Sequence, residues 1–123
     1  MTGRLAGRFI AVTGAAQGIG KAIASDFRAE GADLLLIDLD AVLLGETVAL
    51  LGKYPGGKLL SSAVDITDAI GISKSFRDAA GTAGRCFDGL VNNAGVNVFH
   101  AALETSDDEW HRAFAINLEG AWS

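Results

Sequence analysis

Between residues 13 and 20 the chain reads Thr13-Gly14-Ala15-Ala16-Gln17-Gly18-Ile19-Gly20. Glycines so spaced, where a strand turns into a helix, suit the pyrophosphate of a dinucleotide, held by backbone N–H groups at the helix N-terminus. Gly14 lets the chain leave the strand sharply, Gly18 lets the backbone approach the phosphates, and Gly20 lets the helix pack closely on the sheet. The spacing is Gly-x-x-x-Gly-x-Gly, and its plain alternative is a glycine-rich turn without a ligand. Eighteen positions after Gly20 stands Asp38. An acid there can accept both ribose hydroxyls of an adenosine and repels a 2′-phosphate. Gln17 and Leu39 are not basic and Asp40 adds a second negative charge, which favours NAD over NADP. The competing reading of Asp38 is a solvated aspartate at a strand end. Asp65-Ile66 ends another apolar segment in the same way, within reach of an adenine amino group; Asp65 could equally cap the next helix with Thr67.

The elements that must position these residues alternate along the chain. Phe9-Ile10-Ala11-Val12 is a short apolar run ending in Thr13-Gly14, a buried strand by length and punctuation. From Gly18 to Glu30, Ile19, Ile23 and Phe27 recur every four positions with Ala22 and Ala29 beside them, which predicts a helix stopped by Gly31. Leu34 to Ile37 predicts a second strand, and Leu44, Val48 and Leu51 a second helical stripe, closed by the loop Tyr54-Pro55-Gly56-Gly57. Leu59 to Val64 predicts a third strand, Ile72, Phe76 and Ala80 a third helical face, and Phe87 to Val91 a fourth strand. Uninterrupted apolar strands separated by helices mean a parallel sheet covered on both faces. With right-handed crossovers this is a doubly wound, Rossmann-type α/β sheet.

Composition limits the rest. The chain has 123 residues, one domain's worth, half of them apolar and a fifth charged, which excludes disorder. A net charge of −5 argues against nucleic-acid or anionic-membrane binding, which runs on clustered Lys and Arg. The first residues hold no secretory signal, and no apolar run approaches the length of a bilayer span, so a cytoplasmic setting is expected. Cys86 is the one cysteine, offers no metal spacing, and is expected as a small residue at the edge of a buried strand. No metal site is predicted.

Thr-Gly-x-x-x-Gly-x-Gly at 13–20, Asp38, Asp65-Ile66, Asn92-Asn93-Ala94-Gly95 and Asn117 together resemble the short-chain dehydrogenase/reductase superfamily, from about Gly7 to the last residue. The resemblance implies cofactor contacts at Gly14, Ala16, Gln17, Gly18, Ile19, Gly20, Asp38, Leu39, Asp65, Ile66, Asn92, Ala94 and Gly95. It implies that Asn93 holds the fourth strand against the glycine turn and that Thr13 braces the same turn. Ser106 to Glu109 reads as a capping box opening a helix whose face carries Trp110, Ala113, Phe114 and Ala121. Asn117 lies within about 20° of Trp110 on the helical wheel, so it is either a satisfied core amide or, as the resemblance implies, the Asn of the family's catalytic Asn-Ser-Tyr-Lys set. His100 and His111 match no family position.

The family's Ser and Tyr-x-x-x-Lys are expected only downstream of Asn117, where six residues remain. The chain therefore looks like one nucleotide-binding half plus the start of a second, ending inside a helix at Ser123. Two functions fit. One is an NAD-dependent oxidoreductase for an alcohol or ketone, with this chain as its cofactor-binding part; the other is a non-catalytic NAD-binding module or half of a split protein. Family strand order would run 3-2-1-4, leaving the fourth strand as an edge guarded only by Asp88. That edge, together with the Trp110 face, predicts a homo-oligomer.

Overall fold

The computed structural model describes residues 3–94 and residue 108. Seven elements alternate: β1 (Phe9–Thr13), α1 (Gly18–Ala29), β2 (Asp33–Asp38), α2 (Ala41–Gly52), β3 (Leu59–Ala63), α3 (Ala69–Ala83) and β4 (Gly89–Val91). The strands form one parallel sheet in the order β3-β2-β1-β4. Every residue of β1 is buried, as are the four central residues of β2. Alternate side chains of these two strands feed separate cores. Ile10, Val12, Leu34 and Leu36 pack with Ala24 of α1 and with Leu44 and Leu51 of α2. Phe9, Ala11, Leu35 and Ile37 pack on the other face with Ala79, Ile72 and Phe76 of α3. Burial on both faces is why these strands read as continuous apolar runs, and the doubly wound α/β arrangement follows from it.

Local signals explain the helix ends. Asp40 caps α2, its Oδ1 accepting from the Leu43 N–H at 3.0 Å, and Asp68 caps α3 by accepting from the Gly71 N–H at 3.0 Å. Helix α1 stops before Gly31, which takes a φ of +93°. Two arginines tie down the amino edge of the sheet. Arg28 donates to the carbonyls of Gly57, Leu51 and Tyr54. Arg85 pairs with Asp33 at 2.8 Å, donates to the Gly7 carbonyl and lies over the Phe9 ring.

Four expectations need correction. Ile19 is not part of the packed stripe of α1: it is 72% exposed, since in that first turn it is Gly20 that packs, against the Gly14 turn, while Ile23 and Phe27 reach the core. Ala22 and Ala29 are exposed too, and Gly20 and Ala24 are the residues α1 buries. β4 begins at Gly89 rather than Phe87, since Phe87 turns into the second core and stacks on Phe9 with ring centroids 4.1 Å apart. Asp88 does not guard the outer edge. Its Oδ2 accepts from the Phe9 N–H at 2.8 Å while its own N–H donates to the Phe9 carbonyl at 2.7 Å, so it closes the β1–β4 ladder from the inside. Cys86, in the turn before it, is exposed. Among the described residues, no helix is long and apolar enough to cross a membrane.

Candidate functional site

In a parallel sheet all strands end on one edge, and this edge gathers the turn after Thr13, Asp38 at the end of β2, Asp65 just past β3 and Asn92 to Ala94 just past β4. Thr13 is its hub. The hydroxyl donates to the Val91 carbonyl at 3.3 Å and accepts from the N–H groups of Asn93 at 3.0 Å and Ala94 at 3.1 Å, using its one donor and both acceptor positions. The Asn93 carboxamide reaches back to the Gly14 carbonyl at 3.2 Å. The bracing expected of Thr13 and Asn93 is therefore visible as hydrogen bonds.

The glycines divide their work by space and by backbone angle. Gly14 takes φ +65°, and a Cβ there would stand 3.0 Å from the backbone of Ala94. A Cβ on Gly20 would fall 2.1 Å from the Gly14 carbonyl oxygen and 2.5 Å from the Asn93 amide nitrogen, so the close contact is with the turn itself more than with the sheet. Gly18 differs: it takes φ +59° and a Cβ on it would meet nothing within 4 Å. Its missing side chain leaves open space over the first turn of α1. That turn also lacks a side-chain cap, for Gln17 is the N-cap residue and makes no capping bond, and it holds no acid. Uncapped N–H groups and the helix dipole make this opening favourable to an anion.

Asp38 faces the same turn. Its Oδ2 accepts from the Ala16 N–H at 2.9 Å and its Oδ1 from the Asp40 N–H at 3.0 Å. Each carboxylate oxygen keeps a second lone-pair position for a hydroxyl donor. Leu39 beside it is 55% exposed, whereas Ile66 is buried at 9%. The Asp65 Oδ1 accepts from the N–H and hydroxyl of Thr67 at 2.9 and 2.7 Å; since Asp68 is the cap of α3, the capping alternative for Asp65 becomes a turn ahead of the helix. Asn92 is exposed and Ala94 half-buried at the same edge. Gly95, Asn117, the face around Trp110 and both histidines lie outside the described residues. No cluster of three or more His, Cys, Asp or Glu that could hold a metal occurs among the described residues.

One residue of this site goes unread in the sequence. Thr47, 2% exposed on α2, donates from its hydroxyl to the Ala16 carbonyl at 2.7 Å. Only the packing of α2 on the sheet beside the glycine turn brings it there, and no motif marks it. A further correction concerns Tyr54. Lys58 stands four positions after it, so a Tyr-x-x-x-Lys spacing does occur upstream of Asn117. Both residues are exposed in the turn between α2 and β3, where the Lys58 N–H donates to Asp33 at 2.7 Å at the start of β2. That is the opposite edge of the sheet, and the Pro-Gly-Gly between them is not helical.

Comparison with known proteins agrees with this geometry. The chain is 40% identical over 119 residues to D-threitol dehydrogenase of Mycolicibacterium smegmatis, covering 97% of this chain and 45% of that protein. It is 35% identical over 117 residues to meso-2,3-butanediol dehydrogenase of Serratia marcescens, covering 95% and 45%. Thus it spans less than half the length of these relatives. A short chain dehydrogenase from Mycobacterium paratuberculosis, solved bound to NAD, superposes with a TM-score of 0.91 at 31% identity, over 98% of this chain and 48% of the other. Carveol dehydrogenase from Mycobacterium avium, in complex with NAD, gives 0.88 at 29% identity, over 98% and 48%. The short chain dehydrogenase family model matches residues 8–123, and on that match this chain belongs to the short-chain dehydrogenase family.

Proposed function

We propose that the chain binds NAD along the carboxyl edge of its sheet, as the cofactor-binding part of an oxidoreductase acting on a small alcohol or ketone. The observation that carries this reading is the joint placement of Asp38 and the glycine turn: the Asp38 carboxylate holds the Ala16 N–H at 2.9 Å, beside an uncapped helix start whose Gly18 leaves room for a ligand. The donor set fits a dinucleotide. Turn and helix N–H groups face the position of the diphosphate, Asp38 accepts from the adenosine ribose, and Asp65, Ile66 and Leu39 flank the adenine. Asn92 and Ala94 lie toward the second ribose, and the family pattern assigns Gly95 the same role. NAD, when bound, accepts or supplies a hydride. The contribution of Asn117 is to help order a water chain to the lysine of the family's catalytic set. Relatives named for butanediol, threitol and galactitol point to small hydroxylated substrates.

Selectivity follows from charge. A 2′-phosphate would approach Asp38 and Asp40 with no base at Gln17 or Leu39 to receive it, so NAD binds in preference to NADP. Calorimetric titration of the 123-residue chain with both dinucleotides tests this reading. Tighter binding of NAD supports it; equal or tighter binding of NADP, or no binding of either, overturns it.

A further inference from the structure

Thr47 sits in the second helix, thirty-one residues from the glycine turn, and is 2% exposed. A threonine inside a helix ordinarily returns its hydroxyl to a carbonyl one turn earlier. Here the hydroxyl leaves its own helix and donates at 2.7 Å to the carbonyl of Ala16. The preceding N–H of the same residue is held by Asp38 Oδ2 at 2.9 Å. Both peptide groups flanking Ala16 are thereby held by side chains of other elements. The chain has no cis peptide among its described residues, and in a planar trans peptide the N–H points opposite to the C=O. With the Ala16 carbonyl turned inward to Thr47, the Gln17 N–H is turned outward, at the exposed and uncapped start of α1.

We infer that Thr47 is a positioning residue for the diphosphate of the dinucleotide, aiming the Gln17 N–H by holding the carbonyl behind it. The inference rests on the nucleotide-binding reading above and adds to it the specific group that pre-orients the turn. Pre-orientation matters because an unheld peptide must lose its rotational freedom on binding, and that loss comes out of the affinity. Only the ligand's phosphates feel it. Adenosine, which ends before the diphosphate, reaches Asp38 without using the Gln17 N–H.

Thr47→Val removes the hydroxyl and keeps the branched shape, while Thr47→Ser keeps the hydroxyl. Titrations of the ¹⁵N-labelled chain with ADP and with adenosine, followed by NMR, separate the roles. ADP affinity is expected to fall about fivefold or more in Thr47→Val, as for loss of one hydrogen bond. Adenosine affinity is expected to stay within about twofold, and Thr47→Ser to recover ADP binding, as a retained donor requires. In the wild-type chain the Gln17 amide resonance is expected to move with ADP and to stay in place with adenosine, a readout that holds even if Thr47→Val does not fold. Equal loss of both ligands in Thr47→Val, unchanged ADP binding, or an unmoved Gln17 amide overturns the inference while leaving nucleotide binding standing. A wild-type chain that binds neither ADP nor NAD overturns both readings.

Discussion

Replacing Gly20 by alanine adds one methyl group where the structure has no room for it. The new Cβ would lie 2.1 Å from the Gly14 carbonyl oxygen, 2.8 Å from its carbon and 2.5 Å from the Asn93 amide nitrogen. A carbon and a carbonyl oxygen ordinarily stay more than 3 Å apart, so the helix start and the turn must separate by about 1 Å. Neither neighbour yields readily, because the Gly14 carbonyl is held by Asn93, whose own N–H is bonded to the Thr13 hydroxyl. Overpacking of this kind costs roughly 1–3 kcal/mol. Against it stands the better helix propensity of alanine, at most about 1 kcal/mol and less in a first turn. The clash wins. We expect a net loss of about 1–2 kcal/mol, read as a lower urea midpoint by circular dichroism at unchanged slope. Dinucleotide affinity falls as well, since the displaced turn carries the N–H groups. Gly18→Ala loses by a different route: with open space around the new methyl, its stability loss is only the cost of a left-handed backbone, roughly 1–2 kcal/mol, and its affinity falls because the methyl occupies the ligand's space. A Gly20→Ala chain as stable as wild type, with undiminished NAD binding, would refute the packing argument.

Asp38→Ala combined with Leu39→Arg is expected to reverse the dinucleotide preference toward NADP, by removing a repelling charge and adding a phosphate partner; competitive titration with both forms checks it. The 123-residue chain by itself is expected to give at most a trace of alcohol-dependent NADH production, because its one Tyr-x-x-x-Lys spacing lies on the far edge of the sheet; a spectrophotometric assay after removal of any longer enzyme decides this. Self-association is expected through β4, which pairs only with β1 among the described strands and leaves Leu90 51% exposed; light scattering that finds a stable monomer at high concentration would contradict it.

Much of this site is legible in the sequence because it depends on local chemistry. Gly14 and Gly18 are needed by their own backbone angles, and the run Leu34 to Ile37 announces a strand buried on both faces before Asp38. What depends on contacts between distant segments is not legible. Thr47 looks like one more position of α2 until the helix is packed beside the turn, and Asp38 gives no hint that Ala16 is its backbone partner. Ile19 shows the reverse error: its spacing with Ile23 and Phe27 is correct for one helical face, but only those two reach the core, and Gly20 takes the packed place in the first turn. Asp88 reads as a charge on a strand edge because nothing in the sequence reveals that Phe9 needs an acceptor for its N–H.

The Asp88 plug has a consequence for which length changes the fold tolerates. It fixes β4 to β1 at Phe9, and the Thr13 hydroxyl fixes the chain again at Asn93 and Ala94. The stretch between these two anchors is thus measured against the length of β1, with no slack in a strand of three residues. One inserted residue between Asp88 and Asn93 would move one anchor by about 3.3 Å along the strand, releasing either the ladder at Phe9 or the amide that supports the Gly14 turn. An insertion in the exposed turn 53–55 meets no such gauge at the site, because that turn lies on the opposite edge of the sheet. Natural length variation in this part of the chain should therefore collect before Leu59 and be excluded from the four residues that follow Asp88.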